Sequence, residues 1–120
     1  GSAAAGLDAL HAKLKRLTFA HAGLVRDGDS MTAGITAIEA LRAELRALAP
    51  LGVEDLRQYY EVRNMLDVAE AVTRSALHRE ESRGAHFRAD YPEKNDERWR
   101  VATCVSGPPG ALRVTERSFA

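Results

Sequence analysis

Apolar residues recur every three or four positions in three separate stretches, and that spacing constrains the fold more than any other feature of the chain. The first stretch places Leu7, Leu10, Leu14 and Leu17 on one helical face, with Lys13, Lys15 and Arg16 mostly on the other. "VRDGDS", residues 25–30, then supplies turn chemistry through Gly28, and Asp29 or Ser30 is placed to cap the next helix. The second stretch runs from about Met31 to Ala49 with the stripe Met31, Ile35, Ile38, Leu41, Leu45 and Leu48. "APLG", residues 49–52, ends it, because Pro50 and Gly52 disfavour continuation. The third stretch is the longest, from about Glu54 to Ser82, with Gly84 as its natural stop. Leu56, Tyr60, Leu66, Val72 and Ala76 lie near one stripe, while Val62, Met65, Val68 and Ala69 widen the apolar surface enough to meet two neighbours.

The expected fold is therefore mainly α: an up-down-up three-helix bundle of the spectrin-repeat kind over residues 7–92, with a long third helix. Beyond Pro92 the chain changes character. "EKNDERW" is charged, and "RVATCVS" and "ALRVTERSF" alternate β-branched residues around "GPPG", residues 107–110. Residues 93–120 thus read as a charged loop and an extended or two-stranded tail, which must pack on the bundle because a lone ribbon is marginal in water. Residues 1–6, "GSAAAG", read as a cloning scar and linker, so that the chain is expected to begin inside a longer protein.

Bulk properties exclude several classes. The chain has 120 residues, enough for one core, and only 6% aromatic residues, which suits helix packing. Seventeen basic residues balance seventeen acidic ones, which argues against nucleic acid as a partner. No apolar run approaches the roughly 20 residues of a membrane span, so direct membrane insertion is not expected. A single cysteine, Cys104, points to a reducing compartment, and a cytoplasmic location follows.

"HREESRGAHFRADYP", residues 78–92, is dense in Arg, His and carboxylates and is the candidate for chemistry. His78 and Glu81 are three apart and could share a helical face, but Arg79 and Arg83 beside them disfavour a cation, and His11 and His21 lie elsewhere. No metal site is expected. Cys104 has no histidine nearby in sequence, and Ser82 lacks a nucleophile-elbow motif. Phosphate-cradling glycine patterns are absent, and "GPPG" offers too few N–H groups. Between His78 and Arg100 six Arg or Lys face six Asp or Glu, a composition suited to an ion-pair network that docks one surface on another.

These residues carry a specific likeness. "SALHREESRGAHFRADYPEKNDERW" resembles the C-terminal segment of the succinate dehydrogenase and fumarate reductase flavoprotein subunits, a superfamily that includes L-aspartate oxidase. Its signature is a Ser-Arg-Gly-x-His run, then an acidic residue, an aromatic and a proline. Here those are Ser82, Arg83, Gly84, His86, Asp90, Tyr91 and Pro92, with Arg88 between. "HAGLVRDGDSM" resembles the family's first interhelical turn, with Val25, Arg26, Gly28 and Met31 in matching places, and "VRNMLDVAEAVTRSALHRE" resembles its third helix. The charged segment and the tail favour the dehydrogenase/reductase branch.

The resemblance implies a non-catalytic C-terminal domain of an FAD-dependent enzyme that interconverts succinate and fumarate. FAD is expected in the intact parent and no cofactor, metal or catalytic residue in this chain, because the family's glycine-rich turn and dicarboxylate-gripping residues match nothing here. The implied partners are the parent's own flavin-binding and capping domains and an iron–sulfur subunit, which would hold the protein at the inner face of a membrane. The loop formed by Ser82, Arg83, Gly84, His86, Arg88, Asp90, Tyr91 and Pro92 is then a docking and structural lock. Two alternatives stay open: an L-aspartate oxidase C-terminal domain, or a free-standing helical interaction module. The open helical face makes self-association of the isolated domain a further expectation.

Overall fold

A computed structural model describes residues 2–23, 25–48 and 52–119, without the side chains of 2, 3 and 19–22. Three long helices, α1 (Ser2–Ala22), α2 (Gly28–Arg46) and α3 (Leu56–His78), pack pairwise against one another. A short 3-10 turn, Val53–Asp55, leads into α3. A one-turn helix α4 (Asp96–Trp99) precedes two strands, β1 (Val101–Ser106) and β2 (Arg113–Ser118). The mainly helical bundle with a two-stranded tail is the expected architecture.

The leucine spacing builds the core. Leu7, Leu10 and Leu14 of α1 meet Ile38, Leu41 and Leu45 of α2 and Val62, Leu66 and Ala69 of α3, all buried. Complete burial of a leucine such as Leu7 or Leu14 contributes about 1.5–3 kcal/mol, so this cluster dominates the stability of the bundle.

Several boundaries and faces differ from the sequence expectation. α1 begins at Ser2 rather than Leu7, because the alanines of the segment read as a linker have the highest helix propensity. The cap of α2 is Asp27, not Asp29 or Ser30: its carboxylate accepts a 2.8 Å bond from the Ser30 N–H. α2 ends at Arg46, and the expected stop at Pro50 lies outside the described residues.

On α3, Leu56, Tyr60 and Val72 of the expected stripe are exposed. The buried face is Val62, Leu66, Ala69, Thr73 and Ala76, with the fully buried carboxylate Glu70 beside it. Apolar periodicity picks out Val62, Leu66, Ala69 and Ala76 but not Thr73 and Glu70, which are polar. α3 also stops at His78, not Ser82. Arg79 turns into extended backbone (φ −83°, ψ 102°), and Gly84 serves a later tight turn.

The tail is tied to the bundle at both ends of its ribbon. The strands pair antiparallel, with Val101 opposite Ser118 and Ser106 opposite Arg113. At the turn, Gly110 donates its N–H to Glu70 at 2.8 Å. Near the open end, Glu116 accepts two bonds from Arg98 and pairs with His78 at 2.8 Å. Trp99 is buried between them, edge-on to His78 and under the Arg98 guanidinium, 4.0 Å from the ring centroid.

Candidate functional site

The loop after α3 folds back over the end of that helix and the start of α2. Its centre is Arg88, 2% exposed. Two of its N–H groups meet Asp90 bidentately, Nε to Oδ1 at 3.0 Å and Nη2 to Oδ2 at 2.7 Å. Its Nη1 donates to the carbonyls of Leu77 (2.8 Å) and Arg79 (3.2 Å). A helix C-terminus leaves carbonyls without intrahelical partners, and this guanidinium satisfies them from 9 and 11 residues away. Asp90 accepts in turn from the Gly28 N–H at the start of α2, at 2.9 Å. The end of α3 and the start of α2 are thereby joined through one ion pair.

Gly28 is required by this contact. A Cβ there would lie 2.9 Å from Arg88 Nη2 and 3.0 Å from Asp90 Oδ2. The link between α1 and α2 adds a short backbone pairing: Arg26 N–H donates to the Phe87 carbonyl (3.0 Å), and Ala89 N–H donates to the Arg26 carbonyl (2.6 Å).

His86 sits inside the clasp. Arg26 Nη1 donates to its Nδ1 at 2.9 Å, and its Nε2 lies 3.1 Å from the Arg79 carbonyl. A guanidinium has no acceptor and a carbonyl has no donor, so the imidazole must be neutral with its proton on Nε2. Burial lowers the His86 pKa, and the nearby charges of Arg26, Arg88 and Arg79 lower it further, against the opposing pull of the Arg79 carbonyl. Gly84, at φ +56°, makes the turn in which Arg83 and His86 exchange backbone bonds of 2.8 and 2.9 Å. The Ser82 hydroxyl donates to the Tyr91 carbonyl (2.8 Å) and accepts from the Arg88 N–H (3.0 Å).

A second ion-pair node lies behind the first. Glu81 is fully buried and accepts from Arg79, from Arg83 Nε at 2.8 Å and from the Asn95 N–H at 2.9 Å. Burial alone would raise its pKa; the bonds from Arg83, Asn95 and Arg79 outweigh that and bring it down to about 2. Arg83 also pairs with Asp96. Arg79 reaches the carbonyls of Trp99 and Val101 and the Thr103 hydroxyl, fastening the tail to the end of α3.

The signature residues fall into two groups. Ser82 and Arg88 are buried, and Arg83 and His86 half-buried, at the centre of the network. Gly84, Asp90, Tyr91 and Pro92 lie toward solvent, although Asp90 and Tyr91 still contact Arg88. Sequence reasoning counted Arg79 and Glu81 within the balanced charge cluster, without a specific role there, and did not name Asn95. His78 and Glu81 are each engaged by different partners, Glu116 and the arginines.

The described residues contain no β–α–β unit, and "GPPG", the one stretch with glycines closely spaced, spends its Gly110 N–H on Glu70. Chemically, the arrangement neutralises charges and fixes helix ends.

The chain is thus a three-helix bundle whose helix ends are joined by a buried Arg–carboxylate clasp. The chain belongs to the family described as the fumarate reductase flavoprotein C-term, whose model matches residues 11–118. It is 40% identical over 102 residues to the fumarate reductase flavoprotein subunit of Mycobacterium tuberculosis, covering 78% of this chain and 17% of that protein. It is 33% identical over 115 residues to the L-aspartate oxidase of Nostoc, covering 80% of this chain and 20% of that one. Among solved structures, Mycobacterium smegmatis Sdh1 in complex with UQ1 superposes with a TM-score of 0.78 at 26% identity, over 94% of this chain and 20% of the other. The chain therefore spans about a fifth of the length of these relatives.

Proposed function

We propose that this chain is the non-catalytic C-terminal domain of an FAD-dependent oxidoreductase that interconverts succinate and fumarate. In the parent, the flavin carries the redox chemistry and the protein positions it. The present domain packs on the flavin-binding and capping domains and helps seat an iron–sulfur subunit, which places the complex at the inner face of a membrane. Among the described residues no helix is long and apolar enough to cross one.

The observation that carries this reading is the saturation of the signature loop. Ser82, Arg83, His86, Arg88 and Asp90 spend polar groups on one another, on Glu81 and on the ends of α2 and α3. A catalytic group must meet substrate with a free donor, acceptor or proton. These groups instead set the geometry of the surface that Phe87 and Tyr91, both exposed, present outward. The succinate/fumarate branch is favoured over the L-aspartate oxidase branch by the charged segment and ribbon after Pro92.

The test is a visible absorption spectrum of the protein purified from the complete reading frame. A flavin spectrum that bleaches with succinate is expected. A colourless product, or flavin bound stoichiometrically by these 120 residues alone, would overturn the proposal.

A further inference from the structure

We propose that a shallow groove between α3, β1 and the clasp receives a carboxylate on a short aliphatic stem, supplied by an acidic side chain in an apolar segment of the rest of the parent polypeptide. The proposal deepens the docking reading above and names the chemistry of one contact.

The groove has a volume of about 400 Å³ and is lined by Arg26, Val72, Ser75, Arg79, His86 and Thr103 together with two alanines of α3. No Asp or Glu lines it. Cationic and imidazole groups are gathered at the clasp end, while α3 presents methyl groups and a hydroxyl and β1 presents Thr103. Val72 is 43% exposed, and Val68, one turn earlier, is 62% exposed, so the apolar floor continues along α3.

The two guanidinium groups are not saturated. Arg26 uses Nε and Nη1 within the fold, for the Gly23 carbonyl and His86. Arg79 uses Nη1 and Nη2, for Glu81, Thr103 and two carbonyls. Among the described residues Arg26 Nη2 and Arg79 Nε have no hydrogen-bond partner. Arg79 is already paired with Glu81, but Arg26 has no ion-pair partner among the described residues. A guanidinium beside an apolar floor with no carboxylate in its lining favours an anionic head over a cationic or neutral one. Burial lowers the pKa of His86, and the charges of Arg26, Arg88 and Arg79 add to that lowering. The titratable groups around the imidazole are Arg26, Arg79 and Arg88, and the lining residues of α3 and β1 add none. The stem of the incoming side chain would cover Val72, which relieves its exposure.

The experiment is an NMR titration of this chain with hexanoate, hexylammonium and acetate as probes. Hexanoate is expected to shift the amide signals around Arg26, Val72, His86 and Thr103, and to move the His86 titration midpoint to higher pH. Acetate should bind at least about tenfold more weakly, since burying two methylenes at about 0.8 kcal/mol each is worth more than a factor of ten. Hexylammonium should leave these signals in place. Val72→Glu, at an exposed helical position, should raise the His86 midpoint by itself and abolish the hexanoate response. Equal binding of hexylammonium, equal binding of acetate, or no response at these residues would each overturn the proposal. Any of those results leaves the flavin-bleaching test untouched, so failure of the groove and failure of the parent assignment are distinguishable.

Discussion

Glu81→Gln removes one charge from the most enclosed carboxylate of the clasp while keeping its shape. Glu81 has no exposed surface and accepts from Arg79, Arg83 and the Asn95 N–H. Its pKa falls from the ordinary 4.5 to about 2 because those donors outweigh the burial that would raise it. At about 1.4 kcal/mol per pH unit, this shift corresponds to stability on the order of 3 kcal/mol. The folded pKa lies below the unfolded one, so the contribution is complete above pH 4.5 and is lost as pH falls toward 2. The amide would also turn a donor toward arginines that offer only donors, and a broken buried pair costs about 3–5 kcal/mol. Urea unfolding followed by far-UV circular dichroism, repeated from pH 7 to 2, measures both effects. The variant should be about 3 kcal/mol less stable at pH 7, and the gap between native and variant should narrow between pH 4.5 and 2. A variant within about 0.5 kcal/mol of native at pH 7, or a gap that stays constant down to pH 2, would refute the account of Glu81 as a buried, charged hub.

Arg88→Ala should lower stability by about 3 kcal/mol or more, since it removes the ion-pair partner of Asp90 and the side-chain donor to the Leu77 and Arg79 carbonyls; thermal unfolding checks it. Gly28→Ala should cost about 1–3 kcal/mol and speed amide exchange at Ala89, because its Cβ would lie closer than van der Waals contact to Arg88 Nη2 and Asp90 Oδ2. His86 should show the Nε2–H tautomer in ¹⁵N spectra at pH 7 and titrate below 6.5. Because its folded pKa is depressed, the unfolded chain takes up the proton first, and this contribution to stability is present above pH 6.5 and lost as pH falls. Replacing Glu70 by Gln should release the "GPPG" turn, seen as faster exchange of the Gly110 amide, since that N–H bonds to the carboxylate.

The bundle was legible because leucine spacing reports burial directly. Leu7, Leu10, Leu14, Ile38, Leu41 and Leu45 are all where a 3.6-residue period puts them. α3 was harder, because its buried face includes Glu70 and Thr73, and Glu70 is tolerable there only through Arg42, Arg74 and Gly110. Two of those partners lie 28 and 40 residues away, and periodicity carries no information about them. The same holds for the end of α3. Local sequence allows the helix to run on to Ser82, but the carbonyls of Leu77 and Arg79 are taken by Arg88 and His86. Tertiary contacts, not a stop residue, terminate that helix.

The clasp follows one rule of buried electrostatics. A charge withdrawn from water is tolerable when all its hydrogen-bonding groups find partners, and arginine offers five N–H groups in a rigid fork. Arg88 divides its fork between one carboxylate and two helix-terminal carbonyls, so a single side chain closes an ion pair and caps α3. Lysine, a point donor, could not span both. The spacing of the signature follows from that geometry. Gly84 turns the chain so that His86 can lie on the Arg79 carbonyl, and Arg88, two residues on, enters beneath it. Asp90, two further on, meets both the Arg88 fork and the Gly28 N–H. A string of Ser, Arg, His and Asp that looks catalytic in sequence is thus arranged so that almost every reactive atom is occupied. Arg26 Nη2 and Arg79 Nε, without a hydrogen-bond partner among the described residues, belong to two residues that line the groove where a partner is proposed to dock.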